Sequence, residues 1–317
     1  MRNILVLGGT GFVGRVLVER LVRRSGGAGG RIVVPTRRAA RGNALRFLPT
    51  VEVVQADVND PRQLARLLNG CDAVVNLVAI LHGSEEAFRR AHAELPRQLA
   101  EACRAAGVRR VLHVSALGAS SSAPSRYLRS KAAGEAVLES SGLDLTVLRP
   151  SVLFGAEDRF LNTFAGLQAV FPVIPLAGAD ARFQPCWVDD VAEALVRCLE
   201  RPETIGQTYE CAGPQVYTLR ELVRLAGRWA GHPRPVLALP GALGRLQAGA
   251  MSLMPGEPLM SCDNLDSMKV PNVATGALPG LPALGITPAP LEQVAPSYLG
   301  RRDGVARLDP LRATARR

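Results

Sequence analysis

The sequence predicts an α/β fold: a doubly wound parallel sheet with a smaller C-terminal lobe. Three observations carry this reading. From residue 3 to about residue 115, short β-branched runs alternate strictly with helical patterns, which implies parallel strands joined by crossover helices. The runs are almost wholly apolar, as strands covered on both faces are. Glycines recur at Gly8, Gly11 and Gly14, between the first run and the first helical pattern.

Taken in order, Ile4–Leu7 is a strand, and a helix follows from about Gly14 to Arg24. Strands at Ile32–Val34 and Val51–Gln55 precede a helix at Pro61–Leu68, where a proline suits the first helical position. Next come a strand at Ala73–Leu77, a helix at Phe88–Ala106, a strand at Val111–Val114, a helix at Arg126–Ser140 and a strand at Leu145–Leu148. After Pro150 the pattern loosens into loops at Phe154–Phe160 and Pro172–Gln184, with helices near Asp189–Leu199 and Leu219–Ala230. Leu237–Pro255, apolar and rich in glycine, reads as an amphipathic surface helix. Residues 1–150 are therefore expected to form a nucleotide-binding domain. Residues 151–300 form a C-terminal lobe completed by returns to the sheet, and 301–317 a disordered, arginine-rich tail.

Bulk properties narrow the function. At 317 residues and 47% hydrophobic, the chain can bury a large core. Its net charge of +10 is almost wholly arginine, because Lys131 and Lys269 are its only lysines. That field favours phosphates, anionic lipid head groups or acidic protein surfaces. The arginines lack aromatic interleaving, which argues against nucleic acid as a partner. The six cysteines are widely spaced, with no C-x-x-C pair and no histidine at ligand spacing, so no metal site or disulfide framework is expected. Ile4–Leu7 is too short for a signal peptide, and no 18-residue apolar run exists to span a bilayer. The expected location is cytoplasmic, with Leu237–Pro255 and the arginines available for peripheral contact with the inner membrane.

The chemistry begins at Gly8-Gly9-Thr10-Gly11-Phe12-Val13-Gly14. Glycines directly after a strand, opening a helix, let backbone N–H groups reach a pyrophosphate and aim the helix N-terminus at it, which is the Rossmann dinucleotide loop. An NAD site usually carries an acid at the end of the second strand, for the ribose 2′-hydroxyl. Here that place holds Arg37 and Arg38, whose guanidinium groups suit a 2′-phosphate, so NADP(H) is favoured over NAD(H). By topology, Asp57 and Val58 meet the adenine edge, while Leu77, Val78 and Ala79 pass under the ribose and nicotinamide.

Tyr127 and Lys131 match Y-x-x-x-K, the acid–base pair of short-chain dehydrogenases, placed after a strand ending at Val114-Ser115. Four-residue spacing sets both on one helix face. An ammonium there is expected to lower the phenol pKa, making Tyr127 a proton donor or acceptor to substrate, with Ser115 beside it. The usual Ser or Thr two positions beyond Ser115 is replaced by Leu117. Ser120-Ser121-Ser122 reach the site only if their loop folds back. His82 could line the site but reads as a solvent-facing loop residue, and His92, His113 and His232 show no partner pattern.

A longer pattern adds a resemblance. Ser125-Arg126-Tyr127-Leu128-Arg129-Ser130-Lys131-Ala132-Ala133-Gly134-Glu135, Arg149-Pro150-Ser151 and Phe154-Gly155-Ala156-Glu157-Asp158-Arg159-Phe160-Leu161-Asn162 resemble the atypical, extended-type short-chain dehydrogenases. Their type member is the NADPH-binding accessory subunit of the respiratory complex I alpha subcomplex. The similarity runs from Arg2 through Pro172–Pro175, Gln184-Pro185 and Val188–Val191 to Leu278–Leu281 and Leu284–Ile286, most of the chain. It implies a tightly held NADPH lined by Gly8, Gly11, Gly14, Arg37 or Arg38, Asp57, Lys131 and Arg149–Ser151, including Pro150. It also implies a Tyr–Lys pair without the full catalytic set. Three functions follow: an NADP(H) oxidoreductase or epimerase-like enzyme on a small, apolar substrate, quinone-related compounds among the candidates; a non-catalytic NADPH-binding structural or redox-sensing protein of a respiratory or membrane assembly; and a peripheral membrane module compatible with either.

Overall fold

The β-branched runs pair as expected: those at Asn3–Leu7, Arg31–Thr36, Ala73–Asn76, Arg110–Val114 and Asp144–Pro150 are largely buried, while Val51–Gln55 at the sheet edge is only partly covered. In the computed structural model, which describes residues 3–27, 30–252 and 260–300, six strands come from the first half of the chain. They are β1 (Asn3–Leu7), β2 (Arg31–Thr36), β3 (Val51–Gln55), β4 (Ala73–Asn76), β5 (Arg110–Val114) and β6 (Asp144–Pro150). Short strands follow at β7 (Leu153–Phe154), β8 (Ile174–Leu176), β9 (Arg182–Phe183), β10 (Cys186–Trp187), β11 (Thr208–Cys211), β12 (Tyr217–Thr218) and β13 (Val236–Ala238). A seven-stranded sheet runs in the order β11-β6-β5-β4-β1-β2-β3, every pair parallel. The strand order reverses between β1 and β4, which opens a crevice at the carboxyl ends of those two strands.

The helices up to α9 are α1 (Phe12–Arg24), α2 (Pro61–Leu68), the single-turn α3 (Glu85–Arg89), α4 (Leu95–Ala106), α5 (Arg126–Glu139), α6 (Leu161–Val170), α7 (Val188–Glu200), α8 (Leu219–Trp229) and α9 (Gly241–Ser252). After them come the short α10 (Cys262–Ser267), α11 (Leu291–Val294) and α12 (Pro296–Leu299). On one face of the sheet, Leu17, Val18 and Leu21 of α1 and Val191, Leu195 and Cys198 of α7 pack on Ile4, Val6, Val34 and Val75. On the other, Leu64 and Leu68 of α2, Leu99 and Cys103 of α4 and Leu138 of α5 cover Leu5, Leu7, Val74 and Val111. After residue 150 the chain returns α7 and β11 to this layer. The remaining elements form the C-terminal lobe around Phe154, Leu161, Phe183, Leu219, Leu222 and Ile174.

The structure departs from the sequence expectations at identifiable points. The helix expected at Phe88–Ala106 begins at Glu85, capped by Ser84, and passes through a π turn at Arg90–Glu94. Pro96 has no N–H to give to the His92 carbonyl, so that oxygen turns toward α5 instead. The loops expected at 154–160 and 172–184 contain β8, β9 and the end of β7, each too short for a periodic signal. Leu237 lies in β13, paired with Pro175 of β8, and the helix starts only at Gly241, with Leu243 and Leu246 exposed on it. Leu253–Pro255, Arg2 and the basic tail at 301–317 lie outside the described residues.

Candidate functional site

At the crevice, backbone makes room for a ligand. Gly8 has φ +79°, and a Cβ there would stand 3.0 Å from the Leu77 carbonyl carbon of the neighbouring β4 loop. At Gly14 a Cβ would come within 2.5 Å of the Gly8 oxygen and of Gly9 Cα, so α1 sits directly on the loop. The Gly11 N–H bonds back to Gly8 O at 2.9 Å, and Gly11 caps α1 with no side-chain acceptor. Thr10 accepts the Arg15 guanidinium at its carbonyl, 3.2 Å away; Phe12 packs its ring over Gly155, and Val13 turns into the core. The result is a cradle of backbone N–H groups at a helix end, a shape and polarity that fit a pyrophosphate.

The other expected residues lie at or just beyond the carboxyl ends of the strands. Arg37 and Arg38, exposed after β2, make no ion pair with a carboxylate among the described residues. Thr36 Oγ1 donates to Arg38 O at 3.1 Å and fixes the backbone there. Asp57, exposed after β3, accepts from Asn59 N and Nδ2 at 3.0 and 2.8 Å, and Val58 follows it against the core. Leu77, Val78 and Ala79 follow β4; Leu77 N bonds to Leu7 O at 2.9 Å, and Val78 N to Asn76 Oδ1 at 3.2 Å. Pro150 is buried at the end of β6. The Ser151 hydroxyl donates to Asn272 Oδ1 at 2.6 Å.

Ser125 caps α5 by accepting from Leu128 N, and Asp263 of α10 accepts from the N–H groups of Arg126 and Tyr127 at 2.8 and 3.1 Å. Lys131 is 1% exposed, and its Nζ donates to Val114 O at 2.7 Å. Burial pushes its pKa down to about 8. Ser115 Oγ is buried with no hydrogen-bond partner among the described residues, a free polar group at the end of β5. Leu117 is 2% exposed, and its N–H is fixed to Pro150 O at 3.0 Å.

Tyr127 corrects one expectation. Its ring packs edge-on against His92 and Phe88, at centroid distances of 5.6 and 6.2 Å, and burial raises the phenol to about 12. Lys131 does not lower it: the amine is bonded to a carbonyl, and the same desolvation penalises both charges. The phenol is protonated at neutral pH, a donor and not a base. Sequence reasoning also missed His92. Its Nε2 accepts from Ile80 N at 3.0 Å and its Nδ1 lies 2.8 Å from Ser130 Oγ, while burial lowers its pKa to about 3. Asp263 was missed for the same reason: it acts across 136 residues of sequence, with no local signal.

Comparison with known proteins agrees with this geometry. Residues 8–202 match the family described as NAD(P)H-binding. The chain belongs to that family. It is 32% identical over 299 residues to the mouse mitochondrial NADH dehydrogenase [ubiquinone] 1 alpha subcomplex subunit 9, covering 90% of this chain and 77% of that one. A ceramide reductase of Caulobacter vibrioides is 32% identical over 249 residues, covering 78% and 76%. In fold the family member resembles the NADPH-dependent quinone oxidoreductase of Escherichia coli, solved with NADPH, with a TM-score of 0.75, 23% identity and coverage of 93% and 99%. These relatives bear out the atypical short-chain dehydrogenase resemblance, and the sheet order bears out the Rossmann fold. No helix among the described residues is long and apolar enough to cross a membrane, and no cluster of metal-ligating residues occurs among them.

Proposed function

We propose that the protein binds NADP(H) in the β1–β4 crevice and reduces a small apolar substrate, quinones being the first class to test. The carrying observation is the backbone cradle at Gly8, Gly11 and Gly14, closed to any side chain, with two exposed arginines just after β2 that pair with no carboxylate among the described residues. Those arginines suit a 2′-phosphate and leave a ribose 2′-hydroxyl without its carboxylate. A relative named for reducing ceramide and a fold neighbour named for reducing quinones support an apolar substrate. The bound cofactor would supply hydride. Tyr127, protonated at neutral pH, would deliver the proton to the substrate oxygen, Lys131 would hold the nicotinamide ribose, and Ser115 would offer its free hydroxyl beside them. In the pure protein, NADPH oxidation by quinones or carbonyl compounds should fall by about 100-fold or more in Tyr127→Phe. Equal rates would rule out Tyr127 as donor.

A second reading is a non-catalytic NADPH-binding protein of a respiratory or membrane assembly. Leu117 favours it: the position that donates to substrate oxygen in short-chain dehydrogenases holds a buried leucine whose backbone is locked. NADPH that stays bound and unoxidised with every acceptor tried would select it.

A further inference from the structure

We propose that His92 is a positioning residue that ties the floor of the cofactor crevice to the helix carrying Tyr127 and Lys131. The inference rests on the crevice being the NADP(H) site. Three bonds build the link. Ile80 N–H, just beyond the Leu77–Ala79 floor, donates to His92 Nε2 at 3.0 Å. That leaves the ring proton on Nδ1, which donates to Ser130 Oγ at 2.8 Å, and Ser130 Oγ donates to the Tyr127 carbonyl at 2.7 Å. The ring also lies edge-on to Tyr127, and with Phe88 the three rings form a mutually packed triangle.

The chain holds the histidine in place from behind. His92 sits in the π turn, 1% exposed, and its carbonyl points at Gly134 of α5, where a Cβ would stand only 2.0 Å away. Phe would keep the packing and lose both bonds, and Asn is too short to make both. A nucleotide settling on Leu77–Ala79 moves Ile80, and Ile80 pulls on Tyr127 through a neutral imidazole. Burial keeps the imidazole neutral through the physiological range.

The test uses the full chain labelled with 15N-histidine, which has four histidines, with the His92→Phe spectrum assigning the resonance. His92 should show an unprotonated Nε2 and a protonated Nδ1 that do not titrate between pH 5.5 and 8. Adding NADPH should shift Nε2, whereas 2′,5′-ADP, which fills only the adenosine half, should leave it in place. In parallel, His92→Phe should raise the Kd for NADPH about tenfold, and Ser130→Ala, which keeps the ring and its bond to Ile80, about threefold or less. Wild type that binds NADPH with the His92 resonance unmoved overturns this inference alone, as does unchanged NADPH affinity in both variants. Should His92→Phe fail to fold, Ser130→Ala assigns the resonance instead, by moving the signal of the Nδ1 that loses its partner, and the wild-type spectra with and without NADPH still decide. A wild type that binds no NADPH at all overturns the cofactor reading and this inference together.

Discussion

Gly14 is fixed by its neighbours more than by its own conformation. A methyl group at that position would enter the Gly8 carbonyl and the Gly9 backbone, none of which can move without opening the loop. Gly14→Ala should therefore abolish NADPH binding detectable by fluorescence, and a bound variant would contradict the cradle. The buried histidines make a different prediction. His92 and His113 are 1% exposed and both are pushed below their ordinary pKa by desolvation, His92 to about 3. The unfolded chain takes up protons below about pH 6.5 and the native state does not, so the stability these groups allow is complete above that pH and lost as pH falls. Urea unfolding should show a loss on the order of 1 kcal/mol per histidine between pH 7 and pH 5, where carboxylates stay ionised. His92→Phe should remove one histidine's share, and equal stability at both pH values would contradict the assignment.

At the scale of elements, two glycines in helices should respond oppositely to alanine. Gly249 of α9 has open space around it, and alanine there should stabilise by about 0.5–1 kcal/mol through helix propensity. Gly134 of α5 has the same propensity to gain, yet its Cβ would strike the His92 carbonyl at 2.0 Å, so Gly134→Ala should cost about 2 kcal/mol or more. Thermal unfolding of the two variants checks both signs. The difference shows what the sequence could and could not reveal. Strands β1 to β6 and helix α5 were legible because apolar period, caps and glycine turns are local. The π turn was not, since it arises from Pro96 withholding one donor and α5 accepting the displaced carbonyl, a contact across 42 residues. The raised Tyr127 phenol was hidden likewise, because desolvation depends on Phe88 and His92 packing against it.

At the scale of the molecule, the topology itself makes the crevice, and the C-terminal lobe is fastened to the sheet layer by side-chain bonds and shared core residues, among them Leu281 and Leu284. Asp263 holds the N-terminus of α5, and Asn272 takes the Ser151 hydroxyl and the Val152 N–H. The lobe also exposes Phe171, Val173, Leu237, Leu243 and Leu246 on and around β8, β13 and α9. With a net charge of +10, that face should bind anionic vesicles in a salt-sensitive way, and flotation with no lipid-bound protein at low salt would contradict a peripheral membrane role. The Rossmann sheet was readable from the strand–helix alternation of residues 3–115 and the family from the Tyr–Lys segment and the motifs after it. The lobe was placed at 151–300 with two of its helices, but its short strands β7, β8, β9, β10, β12 and β13 were not read, because each is only two or three residues long. The most direct test of the whole account is calorimetric titration of the wild type and of Arg37→Ala/Arg38→Ala with NADPH and NADH. The account predicts that NADPH binds more tightly than NADH and that the double variant loses about 10-fold or more in NADPH affinity while NADH changes by about twofold or less. Equal affinities in the wild type, or equal losses for both nucleotides, would contradict it.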